Sequence, residues 1–432
     1  MTLWRNWAGT VEADVTPARP ATVTELQAVV AGAAARGQRV KAIGAGHSFT
    51  AIGATDGVQL RLDRLSGIVH ADRSCGLVTV LAGTRLHELN DALWQLGLSL
   101  ANLGDIDVQT ISGAISTGTH GTGAKLGGLA TQVHALELVL ADGSLRRCSA
   151  ADDPNLFAAA CVGLGALGVI ATVTLQCEPA FALAAAEAPS TLDTVLADLD
   201  DEVTGNDHFE FYWFPHTRRV LTKRNNRVLP GTALQPLGRA RHWLDDRFLS
   251  NTLFEGVNRL TTRRPSLVPR VNEIASRALS ARGYVDRSYR VFASPRTVRF
   301  REMEYAVPRA AVPELLAGIE QWLRRSGELI GFPVEVRFAA GDDLWLSTAS
   351  GRDTGYVAVH QYHRRDHDAY FRAVEDIARA FDGRPHWGKL HHRDAASLAT
   401  TYPRLSDFAA LRDTLDPHRT FGNDYLVQVL GS

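Results

Sequence analysis

Two glycine-rich turns limit what this chain can fold into more than any other feature. The first follows the short run Arg39 to Ile43 and reads Gly44-Ala45-Gly46-His47-Ser48. The run has the character of a buried strand, and Gly44 and Gly46 then let the backbone turn and approach another molecule with no Cβ in the way. Such a turn points successive N–H groups into one concavity, which suits phosphate oxygens. His47 stands at its mouth. The second turn is Gly118-Thr-His-Gly-Thr-Gly123. A single Gly-x-Gly turn after a strand is more often only a tight turn. Two of them favour a bound ligand, and the turns alone do not identify it.

Two nucleotide-loop patterns are argued against by their surroundings. Gly163-Leu-Gly165-Ala-Leu-Gly168 matches the dinucleotide fingerprint, which works only after a strand and at the start of a helix. Here the order is reversed: Pro154 to Val162 reads as a helix and Val169 to Leu175 as a strand. Gly118 to Lys125 resembles a phosphate loop, yet Ala124 separates the last glycine from Lys125 and no Ser or Thr follows to hold magnesium.

At 432 residues the chain is long enough for two or three domains. Its 46 basic and 47 acidic residues balance, so neither nucleic acid nor an anionic membrane is implied as a partner. No apolar window is long enough to span a bilayer, and Met1 to Trp7 lacks the apolar run of a signal peptide. A cytoplasmic protein is expected. Cys75, Cys148, Cys161 and Cys177 show no C-x-x-C spacing, which argues against zinc and against a disulfide framework; they are expected to be buried, reduced thiols.

Along the chain, Thr22 and Glu25 form a capping-box pattern before a helix over Leu26 to Arg36 that ends at Gly37. Strands are expected at Val58–Leu62 and Leu77–Leu81, a helix over Arg85 to Leu96, and a hairpin from Val133 to Cys148 turning at Asp142-Gly143. Asn102 to Gly123 is small, polar and glycine-rich. A loop of that length in a compact domain is usually functional. After Pro179 the texture changes. Strands at His208–Phe214, Arg299–Tyr305, Val334–Phe338 and Gly355–Tyr362 alternate with helices over Arg309 to Arg325 and Asp366 to Phe381, which indicates an α+β arrangement around an antiparallel sheet. The first of these strands reads as half buried. Pro230 to Ser280 is polar and arginine-rich, with helical stretches.

Strand periodicity puts Glu335 and Arg337 on one face, and puts His360 and Tyr362 together with Ala358 and Tyr356 on one face of the other strand. Such a charged face is most often solvated. If the two strands are neighbours, the four polar groups form a floor. Lys389 ends the turn-rich peptide Gly383-Arg-Pro-His-Trp-Gly-Lys389, where it is placed to stabilise a developing anion, although a lone loop lysine is more often only a surface group. His360, His363, His367, His386, His391 and His392 have no carboxylate at tidy helical spacing, so no metal site is assigned.

Gly44-Ala-Gly-His-Ser-Phe49, Ser116-Thr-Gly-Thr-His-Gly-Thr122, Gly165-Ala-Leu-Gly-Val169, Glu335-Val-Arg337, Arg384-Pro-His-Trp-Gly-Lys389 and the tail Leu415-Asp-Pro417 with Phe421-Gly-Asn423 together resemble the vanillyl-alcohol oxidase group of flavoproteins over essentially the whole chain. Within that group Phe332 to Phe338, Asp342-Asp343 and Leu346-Ser347 are similar to the sugar-1,4-lactone oxidoreductases of the L-gulono-1,4-lactone oxidase and dehydrogenase type, with D-arabinono-lactone oxidases and alditol oxidases as relatives.

The resemblance implies an α+β, two-domain fold: a PCMH-type FAD-binding domain over 1–180, and a substrate or cap domain over 181–432 built on an antiparallel sheet flanked by helices, with the C-terminal segment returning to the flavin domain. It implies FAD, covalently attached through His47. Gly44, Ala45, Gly46, Ser48 and Phe49 would hold the cofactor with His47. Gly104, Ser112, Gly113 and Thr117, then Thr119, His120 and Gly121, and finally Val169 and Ile170, would complete its site. Glu335, Arg337, Lys389 and His360 are the implied catalytic residues: Glu335 and Arg337 orient the reactants, and Lys389 offsets charge at the flavin N1–C2=O edge. Asp105 and Tyr362 would bind substrate. Asp105 falls where alditol oxidases carry a serine, which puts an alditol substrate in doubt. The implied reaction takes a lactone hydroxyl next to the carbonyl, removes its proton, passes hydride from its carbon to flavin N5, and gives a 2-keto lactone that enolises to an ascorbate-type compound. O2 or a soluble electron acceptor would reoxidise the flavin, and Gly104 is permissive for oxygen. An alditol oxidase is the alternative within the group; a nicotinamide-dependent dehydrogenase and a non-catalytic binding protein are the alternatives outside it.

Overall fold

The computed structural model describes residues 2–238, 253–293 and 298–432; the expectation of helical stretches in Pro230 to Ser280 falls partly outside them. Strands β1 (Thr2–Arg5), β2 (Glu12–Ala18), β3 (Val40–Ile43) and β4 (Val58–Arg61) form a mixed sheet in the order β1-β2-β4-β3, with β4 parallel to both β2 and β3. Strands β5 (Ile68–Asp72), β6 (Leu77–Leu81), β7 (Leu98–Ser99), β8 (Val133–Val139), β9 (Leu145–Ser149), β10 (Val169–Gln176) and β11 (Glu178–Pro179) follow. Five of them make an antiparallel sheet, β5-β6-β10-β8-β9, and β7 pairs with β11.

The remaining strands make one antiparallel sheet of eight. They are β12 (Ala182–Thr191), β13 (His208–Trp213), β14 (Arg219–Arg227), β15 (Arg282–Arg287), β16 (Phe300–Pro308), β17 (Val334–Ala339), β18 (Thr354–Tyr362) and β19 (Arg384–Pro385), ordered β15-β12-β14-β13-β17-β18-β16-β19. Its central strands are buried on both faces. Phe209, Phe211, Trp213, Val336, Phe338, Val357, Val359, Met303 and Tyr305 join one apolar cluster with helices Val312–Ser326 and Asp368–Arg379. The first helix shows why: Leu315, Leu316, Ile319 and Leu323 recur at helical spacing, and Gly327 at φ +72° ends it. The opposite face is polar. β13 is therefore almost wholly buried where half burial was expected, because Glu210 on its polar side is covered as fully as Phe209 and Phe211 on the other.

The largest apolar cluster joins residues of the first three sheets to Trp387, Leu398, Tyr402, Phe408, Phe421, Tyr425 and Leu426 from the end of the chain. Thr22 caps helix Val23–Ala35 by accepting from the Glu25 amide, while the Glu25 carboxylate takes the Ala21 amide instead of that of Thr22. Helix Ile111–Ser116 stands inside the stretch read as loop; its sequence Ile-Ser-Gly-Ala-Ile-Ser has too short an apolar pattern to announce it. Cys148, Cys161 and Cys177 are buried, but Cys75 is exposed, since it sits in the turn between β5 and β6. No helix among the described residues is long and apolar enough to cross a membrane.

Candidate active site

The glycine turn after β3 opens into a cleft of about 990 Å³, counted out to its mouth. Gly44, Ala45, Gly46, His47 and Ser48 line it on one side, Ser112, Gly113 and Thr117 on another, and Val169 and Ile170 close it. Among the described residues the amides of Ala45 through Ser48 find no acceptor, which leaves four consecutive N–H groups for a ligand. A Cβ on Gly44 would lie 2.3 Å from Thr110 Oγ1, so the close approach at this turn requires glycine. A phosphate-bearing, elongated cofactor fits such a lining. Several lining groups stand outside the expected cofactor residues: Trp4, Lys41, Gln109, Thr110, Leu164, Gly165 and Phe421. Lys41 donates to the carbonyls of Leu164, Gly165 and Phe421 and so ties three chain segments together. The Gly163–Gly168 turn, which lacks dinucleotide-fold context, thus walls the same cleft.

His47 lies flat against Trp7, with ring centroids 5.0 Å apart. Burial, followed by the charges of Lys389 and Arg85, pushes its pKa down to about 4. The ring is neutral near pH 7, with a lone pair free to react. Of the other expected cofactor residues, Phe49 packs against Trp7 and Phe300. Gly104, Thr119, His120 and Gly121 lie outside the cleft lining, in the loop that covers the polar face of the large sheet.

That loop is stitched to the sheet. Gly123 N–H donates to the Phe338 carbonyl at 2.7 Å, Phe338 N–H to Thr122 Oγ1 at 3.1 Å, and His120 stacks on Tyr356 with centroids 3.5 Å apart. Beneath it the register brings Glu335 opposite both Tyr212 and Ala358, and Arg337 opposite Tyr356. The polar floor exists, and it is not solvated: Glu335, Arg337 and His360 are each at least 92% buried. Arg337 donates from Nε to Glu210 at 2.9 Å, lies 3.4 Å from Asp105, and pairs with Glu335. Glu210 also takes Lys223 at 2.7 Å. Burial opposes ionisation of Glu210, but Lys223 and Arg337 hold it down to about 2.

A second charged group sits on β16. Glu302 pairs with Lys389 and lies 3.4 Å from His360, while Glu304 accepts from His120 at 3.0 Å. Burial works against both carboxylates, yet the neighbouring cations keep each pKa well down, Glu302 at about 2. Glu210, Glu302, Glu304 and Lys223 are missing from the sequence reading. Glu302 and Glu304 carry the same alternation as Glu335 and Arg337, and that was the available signal; Lys223 and Glu210 needed the strand register. Tyr362 is not brought to this group. It lies in an apolar cluster with Ala8, Phe49, Phe300 and Phe332, and its hydroxyl donates to Glu255 at 2.6 Å.

Ligand atoms of His120, Glu304 and His386 lie within 4.8 Å of one another, a spacing that would suit a metal ion. The hydrogen bonds assign another arrangement: His386 Nδ1 accepts the Gly388 amide at 3.1 Å, so its Nε2 carries the proton and has no lone pair to offer.

Residues 173–429 match the family described as D-arabinono-1,4-lactone oxidase, and residues 17–149 an FAD binding domain. L-Gulono-1,4-lactone dehydrogenase of Mycobacterium tuberculosis is 45% identical over 430 residues, 99% of each chain. L-Gulonolactone oxidase of Mus musculus is 35% identical over 99% of this chain and 98% of its own, and alditol oxidase of a Streptomyces species 34% identical over 98% of both. Among solved structures, a solvent-stable cholesterol oxidase superposes with a TM-score of 0.85 at 20% identity, covering 100% of this chain and 97% of its own. That likeness speaks to fold alone.

Proposed function

The chain belongs to the D-arabinono-1,4-lactone oxidase family of FAD-dependent oxidoreductases, and we propose that its substrate is a sugar 1,4-lactone of the L-gulono type, oxidised at the hydroxyl next to the lactone carbonyl. The observation that carries this reading is the charge of the floor. Each cation of the floor already has its carboxylate: Lys223 pairs with Glu210, Lys389 with Glu302, His120 donates to Glu304, and Arg337 is engaged by Asp105, Glu210 and Glu335. A floor whose cations are all engaged leaves no free positive charge for an anionic ligand and offers carboxylate acceptors to hydroxyl groups. A neutral, hydroxyl-rich ring satisfies it.

Bound FAD would supply the hydride acceptor, with O2 or another electron acceptor taking the electrons on. The Ala45–Ser48 amides would hold phosphate oxygens, and His47, neutral and pinned by Trp7, would attach covalently to the cofactor. Glu335 and Arg337 would orient the lactone hydroxyls, Asp105 would contact them beside Arg337, and Lys389 would place a cation at the electron-rich edge of the ring system. His360 holds its ring by Nδ1 to the Pro333 carbonyl and turns Nε2 towards Glu302. The product would be an ascorbate-type enol. All four cysteines are free, which suits a reducing compartment, and a cytoplasmic setting is part of the proposal.

An alditol oxidase is the second reading, favoured by the Streptomyces relative. A panel of L-gulono-1,4-lactone, D-arabinono-1,4-lactone, xylitol and sorbitol, assayed with O2 and with an artificial acceptor, decides between them. Higher kcat/KM for xylitol or sorbitol than for either lactone sinks the lactone assignment.

A further inference from the structure

Lys389 is held by an unanticipated partner. The register of β16 and β18 sets Glu302 opposite His360, and the Glu302 carbonyl accepts the Leu390 amide at 2.9 Å, so one residue anchors both the strand and the turn that displays Lys389. The Glu302 side chain divides its two oxygens: Oε2 lies 2.5 Å from Lys389 Nζ and Oε1 3.4 Å from His360 Nε2. Lys389 is tied to the cleft as well, because the Gly388 carbonyl accepts the Phe49 amide at 2.7 Å and the ammonium sits 5.4 Å from the centre of the Phe49 ring. Glu302 is 5% exposed, so water screens this array poorly.

We propose that Glu302 is a positioning residue whose carboxylate sets Lys389 and His360 in fixed relation and restrains the positive field that Lys389 presents to the cofactor. This rests on the reading in which Lys389 faces the flavin. A carboxylate that merely completes a buried ion pair would stabilise the fold without altering the cofactor's electronics. One that tempers the lysine alters both. Burial lowers the basicity of Lys389, and Glu302 and Glu304 more than restore it, so loss of Glu302 also makes the ammonium release its proton at lower pH.

The test is sulfite titration of the flavin-loaded enzyme, followed by loss of the yellow absorbance, since sulfite forms an anionic flavin adduct that nearby positive charge favours. Glu302→Gln is expected to bind sulfite on the order of tenfold more tightly, and to move the alkaline limb of its kcat/KM profile to lower pH. Glu302→Asp, which keeps the charge, should stay within about threefold of the native protein. Lys389→Met should bind sulfite on the order of tenfold more weakly. Native sulfite affinity and an unmoved pH profile in Glu302→Gln would overturn the proposal and leave the placement of Lys389 standing. Native affinity in Lys389→Met would overturn that placement, and the proposal with it. Should Glu302→Gln fail to yield holoenzyme, the double variant E302Q/K389M is compared with K389M: equal sulfite binding in the two places the effect of Glu302 in the lysine and supports the proposal, and tighter binding in the double variant, a charge acting without the lysine, overturns it.

Discussion

Gly44→Ala tests the cofactor cleft at its tightest point. The new Cβ would stand 2.3 Å from Thr110 Oγ1 and 3.3 Å from its Cβ and Cγ2. Thr110 has little freedom to retreat, because its hydroxyl accepts the Gly113 amide at 3.2 Å as the cap of helix Ile111–Ser116. Rotating the side chain loses that cap, costing about 0.5–2 kcal/mol. Shifting the backbone instead is overpacking, typically about 1–3 kcal/mol. Either response also displaces Ser112 and Gly113, which line the cleft, so cofactor content falls along with stability. Thr110→Ala alone costs only the cap, about 1 kcal/mol. In the double variant the 2.3 Å clash with Oγ1 is gone and only the 3.3 Å approach to the Cβ of residue 110 is left, so the two substitutions together should cost little more than Thr110→Ala alone, a coupling of about 1–2 kcal/mol. Urea unfolding followed by circular dichroism, with flavin per chain read from absorbance, measures both effects. Additive losses, or a Gly44→Ala protein as stable and as yellow as the native one, would refute the geometry.

Three further outcomes follow from the site. His386 and His391 accept the amides of Gly388 and Arg393 through Nδ1, and burial pushes their pKa values down to about 4 and about 3. Because these folded values lie below the ordinary 6.5, the unfolded chain takes up protons first, and stability falls as pH drops from about 6.5 towards about 4, by at most about 3 kcal/mol for His386. Glu302 and Glu210, at about 2, extend the loss below about pH 4.5, and a urea midpoint unchanged between about pH 7 and about pH 5 would contradict this. Asp105→Ser removes one carboxylate from Arg337 and should raise kcat/KM for xylitol relative to the lactone by about tenfold, measured side by side; an unchanged ratio counts against Asp105 in substrate choice. After acid precipitation, yellow colour should stay in the native pellet and leave that of His47→Ala; release from the native protein would end the covalent assignment.

Much of the site was legible because it is written locally. Glycine spacing placed the Ala45–Ser48 turn, and the alternation in Val334-Glu-Val-Arg-Phe338 placed Glu335 and Arg337 on one face. What stayed hidden depends on residues distant in the chain. Whether that charged face meets water or protein is decided by the loop from Asn102 to Gly123 folding over it. Glu210 and Lys223 become a pair only through the β13–β14 register, and Tyr362 is drawn from the floor by Ala8 and Phe49, some three hundred and more residues upstream. Gly163–Gly168 shows the converse. The helix and strand read on either side of it stand in the order expected, while Leu164 and Gly165 come to wall the cleft beside the Ala45–Ser48 turn because Lys41 draws their carbonyls to it.

The central claim is that a flavin held by the Ala45–Ser48 turn takes electrons from a neutral sugar lactone lying on the charged floor. Mixing the yellow protein anaerobically with L-gulono-1,4-lactone in a stopped-flow spectrometer tests it in one turnover. The account predicts rapid bleaching of the flavin band with the lactone, much slower bleaching with xylitol, and none with the open-chain aldonate anion. Bleaching by the aldonate as fast as by the lactone, or a flavin that the lactone leaves oxidised, would contradict it.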